Sequence, residues 1–207
     1  MKSLWNTRYI PHSLAAFGIL SIVLIVALPP EQTLGHIIKI VFVHGALVQT
    51  GLLTFAAAGL IGAASLVTRR EALYSWCSAA QKSGVIVWNV YIVSSVVVTY
   101  LAWGIPVAWN EPRVRISAII WAAALAFWLL GRLAQSQMFT AVLNVVLAIA
   151  AWGLVKSVGI LRHPFDPIGS SDSPVFKLIY AVLGVIMLLM TIQLTRWQVS
   201  KLVPSTE

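Results

Sequence analysis

Six stretches of this chain are apolar over sixteen or more residues, and none holds more than one charged side chain. They cover residues 13–28, 37–67, 84–104, 116–131, 138–160 and 175–194. A helix needs about 20 mostly apolar residues to cross a hydrocarbon core of about 30 Å, so each stretch reads as a membrane span. Charge supports the reading. Only 10% of the 207 residues are charged, against roughly 25% in a soluble domain, and mean hydropathy is +0.90. So few charges cannot solvate a surface of this size. The predicted fold is all-α, a six-transmembrane-helix bundle forming one domain over residues 1–207. Lipid is its main solvent. The basic segment before the first apolar run also begins as a signal peptide does. No small-residue cleavage site follows Pro29 and Pro30, so the run reads as a retained first helix.

The 14 Lys and Arg residues give a formal charge of +8, which invites a nucleic-acid reading. They are scattered between the apolar runs rather than gathered in a stripe, and no nucleic-acid partner is expected. Basic residues so placed set orientation. Lys2, Arg8, Arg69, Arg70, Lys82, Arg132, Arg196 and Lys201 fall on one side, and Lys39, Arg113, Arg115, Lys156, Arg162 and Lys177 on the other. The bias predicts both ends inside, in a cell inner or plasma membrane, with functional loops at 29–36, 105–115 and 161–174 facing out.

Several chemistries are excluded by residue type. There is no Gly-rich phosphate loop ending in Lys-Ser or Lys-Thr, no His-Glu-x-x-His and no Cys-x-x-Cys. Nearly all six carboxylates fall in loops, so no acidic pair inside a span can relay protons. The only cysteine, Cys77, reads as a passive interfacial residue in the loop after the second span. Asn89, Tyr91, Ser94 and Ser95 read as polar links between helices, and Gly59 and Gly62 as close-packing positions.

The histidines are more informative. His44 stands inside the second apolar run beside Gly45. An ionisable residue at that depth marks a site by default; the alternative is a neutral imidazole bonding another helix. Gly45 would let a flat ligand approach the backbone. His36 is placed about 12 Å further up the same helix at 1.5 Å per residue. His163, at the start of the 161–174 loop, is either a surface histidine or a partner to His44. Two imidazoles converging from different helices suit a six-coordinate heme iron. Trp103 and Trp109 read as an aromatic belt or as a platform for a porphyrin, with Arg113 available to a propionate.

The order of these features resembles a known family, the CcmC/CcsA-type heme-handling membrane proteins of cytochrome c maturation. Lys39-Ile40-Val41-Phe42-Val43-His44 is similar to that family's stretch before its first outer histidine. Trp103-Gly104, Trp109-Asn110 and Pro112-Arg113 resemble a reduced form of its tryptophan-rich WWD signature. Leu161-Arg162-His163-Pro164 resembles its second histidine segment. The likeness runs from about Leu34 to Leu194. Pro106 and Val107 stand where the signature has tryptophans, Asn110 replaces its aspartate, and Glu111 is inserted. These departures bear on heme presentation more than on the fold.

The resemblance implies heme b held at the outer face, with His44 and His163 as ligands to the iron. Trp103, Gly104, Trp109, Asn110, Pro112 and Arg113 would lie against the macrocycle. It implies a binding and delivery protein rather than an enzyme. Its partners would be membrane lipid, ABC-type subunits, and a heme chaperone or apocytochrome c. A second expectation is a structural or anchor subunit of a larger respiratory or photosynthetic complex, with a fixed b-type heme or none. A third, a permease-like subunit, is disfavoured by the scarcity of polar residues in the spans.

Overall fold

The computed structural model describes residues 7–159, 168 and 171–202. A 3-10 turn, Thr7–Tyr9, leads into α1 (Ile10–Ala27). It is followed by α2 (Ile38–Thr68), α3 (Glu71–Trp103), α4 (Pro112–Ala134), α5 (Gln137–Ser157) and α6 (Pro174–Leu202). All six helices are long and apolar enough to cross a membrane. The chain is therefore built as a multi-pass membrane bundle. Crossing alternately, the helices put Thr7 and Leu202 at one end, called here the terminal end. The connections before α2, before α4 and before α6 lie at the other, the loop end.

Three helices, α3, α4 and α6, run well past the apolar stretches. At 33 residues, α3 is about 50 Å long, against a hydrocarbon core of about 30 Å. Its first turns occupy residues expected to form a loop. The real connection from α2 is only Arg69 and Arg70, with Arg69 in the left-handed conformation (φ 55°) and its N–H bonded to the Ser65 carbonyl at 2.8 Å. Nothing between Glu71 and Ser83 breaks a helix, because no glycine or proline occurs there. Lys82 and Cys77 therefore lie on α3. Cys77 is buried, not interfacial, and its thiol donates to the Ala58 carbonyl at 3.4 Å. His36 is likewise not on α2. It sits exposed in the turn before that helix.

The core centres on α2. Half of its most apolar window is buried, against 6% of that of α1, which rests mainly on α6. Between membrane helices there is little hydrophobic drive, so close fit decides the packing. The α2–α3 pair interlocks large against small in both directions. A Cβ on Gly51 would meet the Trp88 ring at 2.6 Å, and one on Gly84 would meet the Phe55 ring at 2.7 Å. Phe55 and Trp88 are almost fully buried, with ring centroids 5.5 Å apart. On the opposite flank α5 approaches α2 backbone to backbone, since a Cβ on Gly59 would stand 2.5 Å from the Ala148 Cβ. Asn144 ties α5 to α3 as well, donating from Nδ2 to the Cys77 sulfur at 3.3 Å.

Candidate functional site

The candidate residues gather at the loop end. His44 lies six residues into α2, about 9 Å along its axis. Its ring is half-buried and stacks at a 32° tilt on Tyr91 of α3, with centroids 4.9 Å apart. Its Nδ1 lies 3.3 Å from the Ser94 hydroxyl. Ser94 donates its only hydroxyl proton to the Tyr91 carbonyl at 2.7 Å, one turn back on its own helix. With the Ser94 proton on that carbonyl, the Ser94 oxygen accepts from His44 Nδ1, and the lone pair of a neutral imidazole is then on Nε2. This is the arrangement that orients a histidine for a metal, with the far nitrogen held by an outer partner.

The network continues into α4. The Tyr91 hydroxyl and the Ser117 hydroxyl are 2.7 Å apart, and the Trp88 indole donates to the Ser117 carbonyl at 3.2 Å. One turn further into the bundle, the Trp121 indole donates to Asn89 Oδ1 at 2.9 Å. Arg113 stands half-buried in the first turn of α4. His44, Tyr91, Ser94 and Ser117 thus form one polar layer through three helices. Ser117 gives no signal in the sequence. It is one serine in an apolar run, and only the approach of α4 to α3 gives it a role.

Around this layer the structure places the remaining candidates. Trp103 is the last residue of α3, and Gly104 ends the helix in the left-handed conformation (φ 72°), its N–H bonded to the Tyr100 carbonyl at 2.8 Å. Pro112 opens α4, where its missing N–H costs nothing. Between the two helices Ala108 and Glu111 turn inward, only 1% and 2% exposed, while Asn110 and Trp109 face out, Trp109 at 61%. Beneath Trp109 a cleft of about 120 Å³ opens between α3 and α4, lined in part by Ser95, Thr99, Pro106, Ser117 and Trp121. His44 approaches α3 at Tyr91 and Ser94, whereas this cleft opens on the neighbouring face. Ser117 touches both.

Gly45 does not offer its backbone to a flat ligand. Tyr180 of α6 takes that space, its hydroxyl 2.8 Å from where a Cβ would stand. Phe42, one turn above, packs edge-on against Phe176 and Tyr180 with centroids 5.5 and 5.6 Å away. The Leu161-Arg162-His163-Pro164 segment lies outside the described residues. The fit to heme is accordingly read from His44 and the α3–α4 connection. His44 is oriented by Ser94 and Tyr91, and Arg113 stands in the first turn of α4. The cleft is far below the roughly 300–1,000 Å³ of pockets that enclose drug-sized ligands, so a macrocycle would lie across the loop end rather than inside that cleft.

Electrostatics at this end include one further anchored acid. Glu31, in the turn between α1 and α2, accepts from the Leu34 and Thr33 amides at 2.7 and 2.8 Å. Those bonds, Leu34 first, hold its carboxyl below the usual carboxylate range. The turn closes with paired backbone bonds between Glu31 and Gly35. Lys39 donates from Nζ to the Val26 carbonyl at 2.7 Å, covering the C-terminal end of α1.

No protein-family model and no curated protein matches this chain. The likeness to the CcmC/CcsA family therefore rests on the order of the motifs along the sequence alone.

Proposed function

We propose that this chain is a heme-handling membrane protein that holds heme b at the outer membrane face and passes it on in cytochrome c maturation. One observation supports the reading: Ser94 holds His44 through Nδ1, which would make Nε2 the ligating nitrogen. His44 would be one ligand to the iron and His163 the other. Arg113 would neutralise a propionate, and Trp103, Gly104, Trp109, Asn110 and Pro112 would line the edge of the macrocycle. When bound, the heme would supply an iron that imidazole nitrogens can hold. The chain's own residues bind it, orient it and keep it accessible to an acceptor, a heme chaperone or an apocytochrome c. In this reading both termini are cytoplasmic and the loop end faces out.

A second reading has its own support. The His44 ring is packed on Tyr91 and bonded to Ser94, as a histidine joining two helices would be. The bundle would then be an anchor subunit of a larger respiratory or photosynthetic complex.

The deciding experiment is a heme titration of the detergent-purified protein beside His44→Ala and His163→Ala. A low-spin b-type spectrum in the wild type, lost in both variants, followed by transfer of the heme to an apocytochrome, is the expected result. A spectrum that persists in both variants sinks the bis-histidine site. A retained heme that titrates reversibly and never transfers favours the anchor subunit, as does a wild type that stays colourless with heme in excess.

A further inference from the structure

A cavity opens at the terminal end, away from His44. It measures about 300 Å³ and lies between α3, α4, α5 and α6. Three cations border it from three helices: Lys82 on α3, Arg132 on α4 and Lys201 on α6. Among the described residues that line it none is acidic. Two of the cations are held against indole rings. The Arg132 guanidinium lies 5.4 Å from the Trp128 ring centre, and the Lys201 ammonium 3.8 Å from that of Trp197. Such contacts keep charged heads at the level of a membrane interface while their stems stay among apolar side chains.

A second, independent observation concerns Gln81, which also lines the cavity. It is 1% exposed, and its Nε2 donor has no hydrogen-bond partner among the described residues. Leaving a buried amide unpaired is costly, and a phosphate oxygen is a strong acceptor for it. Gln198, 6% exposed on α6, adds a second amide to the wall.

We propose that this cavity is a phosphate-binding site, with Lys82, Arg132 and Lys201 neutralising the anion and Gln81 Nε2 donating to one of its oxygens. The phosphate is carried either by the headgroup of an anionic phospholipid or by a free phosphate from the adjoining solution. Basic pockets between membrane helices are suited to the first source. The site is independent of the heme reading, since it shares no residue with the loop end.

The test uses the full chain, purified in a neutral detergent and stripped of lipid. It is titrated separately with dihexanoylphosphatidylglycerol, dihexanoylphosphatidylcholine and inorganic phosphate, with tryptophan fluorescence and thermal midpoint as readouts. The wild type should bind phosphatidylglycerol or phosphate at least about tenfold more tightly than phosphatidylcholine, and less tightly as salt is added. Saturation by inorganic phosphate assigns the free anion; saturation by phosphatidylglycerol alone assigns the headgroup. The triple variant K82Q/R132Q/K201Q should lose about tenfold or more in affinity. Gln81→Leu should lose binding while leaving the lipid-free midpoint unchanged or higher, because it removes the orphaned donor. A wild type that binds neither phosphate nor phosphatidylglycerol, or variants that bind as the wild type does, would overturn the proposal.

Discussion

Ser94 lies 3.3 Å from His44 Nδ1 on α2 and bonds the Tyr91 carbonyl at 2.7 Å on its own helix. With its proton on that carbonyl, Ser94 accepts from His44 and so favours the Nδ1–H tautomer. The choice has a measurable consequence. Ser94→Ala removes the outer partner of His44 without enlarging any side chain. Heme affinity should fall by about 10- to 100-fold, as for loss of outer partners of metal-bound histidines, and Ser94→Thr should restore most of it. A heme titration that shows equal affinity for wild type and Ser94→Ala would remove the tautomer argument.

The Tyr91–Ser117 contact at 2.7 Å joins α3 to α4 in the buried layer. A double-mutant cycle with Tyr91→Phe and Ser117→Ala should give a coupling of about 0.6 kcal/mol, the usual size for hydrogen bonds between membrane helices. Reversible unfolding in mixed micelles measures it. A coupling near zero would mean the two hydroxyls act independently.

Glycine positions differ sharply in what they tolerate. Gly59→Ala puts a methyl 2.5 Å from the Ala148 Cβ and 3.1 Å from the Asn144 carbonyl oxygen, so α2 and α5 must separate. It should cost about 1–3 kcal/mol, as overpacking does. Gly153→Ala, with no atom within 4 Å of the new Cβ, should leave stability unchanged or slightly raised. Thermal unfolding of the two variants side by side is sufficient.

The α1–α2 turn should respond to pH through Glu31. Its folded pKa is depressed by the Leu34 and Thr33 amides, so its contribution is present above the unfolded carboxylate pKa and is lost as pH falls through the folded value. Hydrogen-exchange protection at the Leu34 and Thr33 amides should therefore drop on acidification, and Glu31→Gln should abolish that dependence. Protection that stays flat through the carboxylate range would show that the turn is held by its backbone bonds alone.

Orientation can be read from thiol labelling of intact cells. Asn110→Cys, exposed beside Trp109, should react with a membrane-impermeant maleimide, and Arg69→Cys only after permeabilisation. Cys77, 1% exposed, should stay silent in both. The reverse pattern would place the loop end in the cytoplasm.

The six crossings were legible in the sequence because hydropathy measures what lipid itself selects, and no soluble fold survives with so few charges. The same measure failed on Glu71–Ser83. Hydropathy reports where a helix meets lipid, whereas helicity needs only good helix formers without a break, so α3 rises above the apolar run. His44 stood out as an ionisable residue at depth, and Asn89, Tyr91 and Ser94 as possible links between helices. Their actual partners did not. Which residue faces His44 depends on the rotation of α3 against α2, and that is set by Trp88 seated on Gly51 and Phe55 on Gly84. Likewise only the packing of α6 put Tyr180 over Gly45, and only the assembly of four helices brought Lys82, Arg132 and Lys201 around one cavity. By itself the sequence determined a six-span chain with His36, His44, Trp103 and Trp109 toward one end. The tertiary structure decided which of them meet, because contacts across helices depend on close fit between side chains far apart along the chain.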